Sequence, residues 1–153
     1  MPFPARNTPA HPPPVERFNE PTVLYVTVCA RDRVNLFANA QSHAAIVSSW
    51  NQARSWRVGH YTLMPDHIHL FCVPGMWPAE PVRVWAGYWK RLASRQDPRL
   101  VGQWLRDVWD TQMRTADHYR EKRSYMQMNP VRAGLVSRAE DWLFSGTVHP
   151  IVW

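Results

Sequence analysis

One stretch, Tyr61-Thr62-Leu63-Met64-Pro65-Asp66-His67-Ile68-His69-Leu70-Phe71-Cys72-Val73, sets two apolar runs on either side of a Met-Pro-Asp break. The second run carries histidines two residues apart. Side chains of a strand alternate between faces, so His67 and His69 point one way while Ile68 and Leu70 point the other. Two imidazoles so placed suit a divalent transition ion, or Mg²⁺ or Mn²⁺ where substrate oxygens complete the shell. The plainer reading is a pair of polar residues at a sheet surface. A closed zinc site would need two more ligands, and the spare candidates His60, Cys72 and His118 have no zinc spacing. Cys72 also has the wrong parity to join the histidines. A metal site here is therefore expected to be open, as catalysis requires.

A second segment, Tyr125-Met126-Gln127-Met128-Asn129-Pro130, offers a phenol and an amide four residues apart, on one face if helical. Taken alone it reads as a core tyrosine followed by a terminating asparagine. A phenol serves as nucleophile in phosphoryl transfer when something stabilises the charge that develops on the phosphate, and a divalent ion does so. Asn129 would add a neutral oxygen ligand one turn from Tyr125. Tyr119 is the rival nucleophile, six residues earlier and on another helical face from Asn129.

The elements that must position these groups follow from periodicity. Thr22 to Ala30 alternates and is rich in Val, Tyr and Thr, a strand pattern. Ala40 to Arg54 approximates a helical stripe. Gly59 precedes a pair of strands turned at Pro65-Asp66, with the histidines on the second. Between Pro81 and Arg95, Val82, Trp85, Ala86, Trp89, Leu92 and Ala93 form an apolar helix face, and Arg83, Lys90, Arg91 and Arg95 are assigned to its opposite, basic face. Pro98 to Leu105 reads as a loop and Val108 to Arg114 as a short strand. A helix capped by Thr115 is predicted over Ala116 to Met128, ending before Pro130. The tail with Trp142, Phe144 and Trp153 is expected to pack back on the domain. Strand, helix, two strands, helix, strand, helix defines an α+β domain with helices covering an antiparallel sheet.

The chain has 153 residues, 45% of them hydrophobic, with nine tryptophans, the size and make-up of one folded domain. Its net charge of +6 and pI near 9.9 favour an anionic partner. Residues 1–17 hold six of the fourteen prolines and read as an extended arm ahead of a domain at 18–153. Arg6 and Arg17 would let that arm touch phosphates; the alternative is a loose terminus. Cys29 and Cys72 sit in apolar runs as small hydrophobes, without a disulfide framework, consistent with a reducing interior. With no apolar run of spanning length and no signal-peptide core, a soluble cytoplasmic protein with no membrane role is expected.

The residues also carry a resemblance. Met64-Pro65-Asp66-His67-Ile68-His69-Leu70 resembles the His-hydrophobic-His motif of the single-tyrosine HUH transposases, and Tyr125 to Val136 is similar to the segment bearing their tyrosine. Asn129-Pro130-Val131-Arg132-Ala133-Gly134, the short chain and the segment from Trp109-Asp110 to Arg114 resemble the REP-associated tyrosine transposases. The matching elements run from about Val23 to Phe144, with 58 positions from His67 to Tyr125. The resemblance implies a ferredoxin-like antiparallel sheet flanked by α-helices, a divalent metal, and cleavage of single-stranded DNA at hairpin-forming repeats through a covalent 5′-phosphotyrosine. It makes Tyr125 the nucleophile and His67, His69 and Asn129 the metal ligands. Gln127 and Met128 depart from the His or Asn often found before the Asn-Pro pair, and the proline-rich arm lies outside the match.

On this reading Lys90, Arg91, Lys122, Arg123 and Arg132 contact phosphates, and aromatics such as Trp77 or Tyr88 stack on unpaired bases. The partner is single-stranded or hairpin DNA, bound by a monomer or homodimer in the bacterial nucleoid. An alternative keeps the fold and the repeat DNA but not the cleavage. An RNA-binding module of similar fold lacks support, because no strand carries a paired aromatic RNP segment.

Overall fold

In the computed structural model, residues 11–16 and 20–153 are described. Five antiparallel strands form one sheet: β1 (Leu24–Cys29), β2 (Trp56–Leu63), β3 (His67–Pro74), β4 (Trp109–Gln112) and β5 (Ser145–Thr147), in the order β4-β1-β3-β2-β5. The helices are α1 (Ala40–Gln52), α2 (Val82–Gln96), α3 (Ala116–Gln127) and the single turn α4 (Asn129–Arg132). The first six predicted elements and α3 fall in the expected order, and the α+β, ferredoxin-like architecture is as expected.

Alternation along β1 and β3 divides the sheet into two faces. Leu24, Val26 and Val28 of β1 join Ile68, Leu70 and Cys72 of β3 in a large core completed by α1 and α2, with Trp56, Trp85 and Trp89 fully buried. Tyr25 and Phe71 lie on the other face in a smaller core with Met113 and with Tyr119 and Met126 of α3. Register pairs Thr27 with His69 and Cys29 with His67, so both histidines lie on the α3 face. Both cysteines are free and buried, Cys72 on the face away from the histidines as parity required.

Local chemistry sets the helix starts. Asn39 Oδ1 accepts from the amide of Ser42 at 2.9 Å to cap α1, and Thr115 Oγ1 accepts from that of His118 at 3.0 Å to cap α3. The turn between β2 and β3 is closed by the Met64 amide donating to the His67 carbonyl at 2.8 Å. The C-terminal tail packs back: Trp142 Nε1 donates to the Leu63 carbonyl at 2.9 Å, and Trp153 stacks on Tyr119 with centroids 6.0 Å apart.

Several details depart from the sequence reading. Gly59 does not precede the strand pair but lies inside β2, where a Cβ would meet Ile151 Cδ1 at 2.5 Å. Pro98–Leu100 forms a 3₁₀ turn within the expected loop, and β5 adds a fifth strand. Lys90 is not on the exposed basic face of α2: it is 6% exposed, and its Nζ donates to the Leu105 carbonyl at 3.1 Å. Arg6 and Arg17 lie outside the described residues. Residues 11–16 rest beside β4, where His11 bonds Asp107 at 2.7 Å and Asp110 at 2.5 Å. Val15 and the Gln112 side chain exchange two hydrogen bonds, at 2.9 and 2.8 Å. No helix among the described residues is long and apolar enough to cross a membrane.

Candidate active site

The two imidazoles stand together at the N-terminal end of β3, ring centroids 4.7 Å apart and planes at 75°. Each is held through its Nδ1. Asp66 Oδ1 lies 2.7 Å from Nδ1 of His67, so the carboxylate fixes the tautomer with the proton on Nδ1 and the lone pair on Nε2. Thr27 Oγ1, directly across the ladder, lies 3.0 Å from Nδ1 of His69. His69 is 1% exposed, and its Nε2 is buried with no hydrogen-bond partner among the described residues. An unsatisfied buried nitrogen costs roughly 1–3 kcal/mol. A bound ion would use that atom, so the donor set fits a divalent metal.

Electrostatics keep both rings in the neutral form that ligates metals. Burial lowers the pKa of His67, and the opposing bond and charge of Asp66 do not overcome it. Burial lowers that of His69 well below the usual imidazole range, and the positive potential of Lys122 and Arg132 adds to this. Lys122 of α3 reaches this face of the sheet, its Nζ 5.2 Å from the centroid of the Tyr25 ring that stacks on His69. Among the described residues no third His, Cys, Asp or Glu completes a cluster with them. His60 bonds Thr147 at 2.9 Å, His118 sits at the start of α3, and Cys72 is in the other core. Cys29 faces His67 in register, and burial pushes its thiol up to about 11.

Tyr25 links the histidines to α3. Its ring stacks on His69 at 5.4 Å with planes 16° apart, and Lys122 Nζ lies 5.2 Å from its centroid and 5.9 Å from that of Tyr125. Burial and the neighbouring Tyr125 raise the Tyr25 pKa, so it remains a phenol. Exposure separates the two tyrosines of α3: Tyr125 is 37% exposed and Tyr119 3%, enclosed by Phe71 and Trp153. Asn129 does not continue α3 but opens α4, and it is buried with its Oδ1 accepting from Arg132 Nη2 at 3.2 Å.

The five expected phosphate contacts scatter. Lys122 and Arg132 adjoin Tyr125. Arg123 is half-buried, 5.7 Å from the Tyr119 ring. Arg91 is exposed on α2, across the sheet from the histidines, and Lys90 is buried as described above. Trp77, ahead of α2, and Tyr88, on it, are both about half exposed.

The sequence reading missed Tyr25, Thr27, Arg33 and the orienting role of Asp66. Arg33 Nε donates to Asp66 Oδ2 at 2.9 Å, and its Nη2 lies 3.4 Å from His67 Nδ1. It reaches them from a left-handed pair, Asp32 at φ 56° and Arg33 at φ 53°, a conformation costing on the order of 1 kcal/mol or more per residue. Strand alternation already grouped Tyr25 and Thr27, but the register that brings them to His69 is tertiary information.

No family model matches the chain, and none of the curated proteins matches it. Among solved structures, a REP-associated tyrosine transposase bound to a REP hairpin aligns with a TM-score of 0.69 and 21% identity, over 86% of this chain and 80% of that one. A Deinococcus radiodurans R1 protein with a provisional transposase assignment aligns at 0.49 and 13% identity, over 72% of this chain and 92% of that one. The chain has the fold of the REP-associated tyrosine transposase.

Proposed function

We propose that this protein cleaves single-stranded DNA beside hairpin-forming repeats and transfers the strand through a covalent 5′-phosphotyrosine on Tyr125. The carrying observation is the pair of imidazoles held by their Nδ1 atoms, with His69 Nε2 buried and unsatisfied, joined through the stacked ring of Tyr25 and the ammonium of Lys122 to the exposed Tyr125 of α3. The fold shared with a transposase solved on a REP hairpin supports the choice of DNA.

His67, His69 and Asn129 would hold a divalent ion, Mg²⁺ or Mn²⁺, which when bound stabilises charge on the scissile phosphate. The protein's own groups do the rest. Tyr125 Oη attacks phosphorus, the bond to the 3′ oxygen breaks, the phenol gives up its proton and the departing oxygen gains one. The ester bond retained on Tyr125 lets a second 3′-hydroxyl reverse the step and join strands without another energy source. Lys122, between the rings of Tyr25 and Tyr125, supplies positive charge where the phosphate arrives. Asp66 and Thr27 keep the imidazoles aimed.

The test incubates the full chain with Mn²⁺ and an end-labelled hairpin carrying a single-stranded flank. Wild type forms an SDS-stable adduct, Tyr125→Phe binds the DNA but forms none, and Tyr119→Phe keeps it. An adduct that survives Tyr125→Phe, or wild-type binding without any adduct, would reject the cleavage reading.

A further inference from the structure

Arg132 is the basic residue most intimately tied to the nucleophile. Its Cζ lies 3.6 Å from the centroid of the Tyr125 ring, well inside the range of a stacked cation. The same Nη2 donates to the Tyr125 carbonyl and, at 3.2 Å, to Asn129 Oδ1. Tyr125 belongs to the last turn of α3, where carbonyls run out of amide partners. The guanidinium thus closes the helix end, covers one face of the phenol and holds the amide of Asn129.

We propose that Arg132 is a positioning residue for the Tyr125 phenol and that it does not contact DNA phosphate. The inference rests on the cleavage reading for its catalytic consequence, but the geometry stands without it. A planar guanidinium can stack and donate in its own plane at once, which an ammonium cannot. Both hydrogen bonds use Nη2, so swinging the side chain out to a phosphate would forfeit the stack and both of them. Lys122 forms no ion pair among the described residues and lies between the two tyrosines, so it is the cation placed for the phosphate. An exposed tyrosine at a helix end has rotamers to lose, and misplacing a reacting group by about 1 Å costs on the order of a hundredfold in rate.

Three measurements on the full chain test this. In the first, nuclear magnetic resonance reads the Arg132 side-chain N–H signals, which the Tyr125 ring current shifts upfield; Tyr125→Leu is the control. The shift is expected in the free protein and is retained when the hairpin oligonucleotide is added in EDTA, where no adduct forms. In the second, the salt dependence of DNA binding stays unchanged in Arg132→Gln, whereas Lys122→Gln lowers its slope by about 0.7–0.9, one phosphate contact. In the third, adduct formation falls roughly 10- to 100-fold in Arg132→Gln, and Arg132→Lys does not restore it. Absence of the upfield shift in the free protein, its loss on DNA binding, or a slope lowered by one contact in Arg132→Gln would overturn the proposal. The first measurement uses the wild-type chain, so it decides even where a variant fails to fold. A wild type that forms no adduct while keeping the shift would reject the cleavage reading and leave the positioning geometry upheld.

Discussion

The two faces of the sheet are built to different ends. Against α1 and α2 the strands meet an apolar layer in which Trp50, Trp89 and Trp85 pack edge to face, with Trp50 and Trp89 centroids 5.6 Å apart, and Trp56 lies tilted against Trp85. Against α3 the apolar layer is smaller, and beyond it lie two histidines, a stacked phenol, an ammonium and a guanidinium. Buried tryptophan contributes stability through apolar contact, whereas a site needs buried polar atoms left available for a ligand. One sheet accommodates both because alternation sends successive residues of β3 to opposite faces. Ile68 and His69 are neighbours in sequence and belong to different layers.

The contrast has a direct test. His69→Ala is expected to lower Mn²⁺-dependent adduct formation by roughly a hundredfold or more, with calorimetric loss of Mn²⁺ binding and a modest change in melting temperature. Trp89→Ala, in the other layer, is expected to cost about 3–5 kcal/mol in denaturant unfolding and to leave the adduct yield per folded molecule near wild type. If the two variants exchanged effects, the division of labour would be wrong.

Lys90 sharpens the same comparison, because it is a titratable group inside the stabilising layer. Burial pushes its pKa down from 10.5 to about 8. Between those values the unfolded chain holds a proton on Lys90 that the folded chain lacks, so this residue's contribution to stability rises with pH across the window. The stability of wild type relative to Lys90→Met should therefore climb from about pH 8 to about 10.5, by at most about 3 kcal/mol. A flat difference would mean that Lys90 is not buried. The smallest expected effect lies on the outer side of the same layer. A Cβ at Gly87 would meet only Arg91 Nη1 at 3.6 Å, so Gly87→Ala should stabilise the fold by roughly 0.5–1 kcal/mol in the same denaturant assay. Destabilisation there would reveal a packing constraint on α2 that the structure lacks.

What the sequence could and could not reveal follows the same physics. Parity placed His67 and His69 together and Cys72 apart, and the stripe from Val82 to Ala93 defined α2, because both depend on local periodicity alone. Lys90 was assigned outward on its charge, yet it lies four residues after Ala86 and three before Ala93, within the apolar arc. Its phase was readable; its carbonyl partners on the Leu105–Arg106 segment were not. Thr27, Tyr25 and Arg33 depend on the register of β1 against β3 and on a left-handed turn at two non-glycine residues, neither of which has a local signature. The three-residue β5 is too short for alternation to announce it. Arg132 was grouped with phosphate ligands by charge, and its stack on Tyr125 and its bonds to the Tyr125 carbonyl and Asn129 arise only where α3 gives way to α4.

The contact between residues 11–16 and β4 also bears on how copies of this protein meet. Edge strands invite pairing by any chain with a free strand of its own. β4 is one edge of this sheet, and the bonds of His11 to Asp107 and Asp110 and of Val15 to Gln112 lie along it. The opposite edge is β5, three residues long. A second molecule adding a strand to this sheet would have to displace a charged latch at one end or find purchase on three residues at the other, so the fold discourages polymerisation by sheet extension even where the protein is locally concentrated.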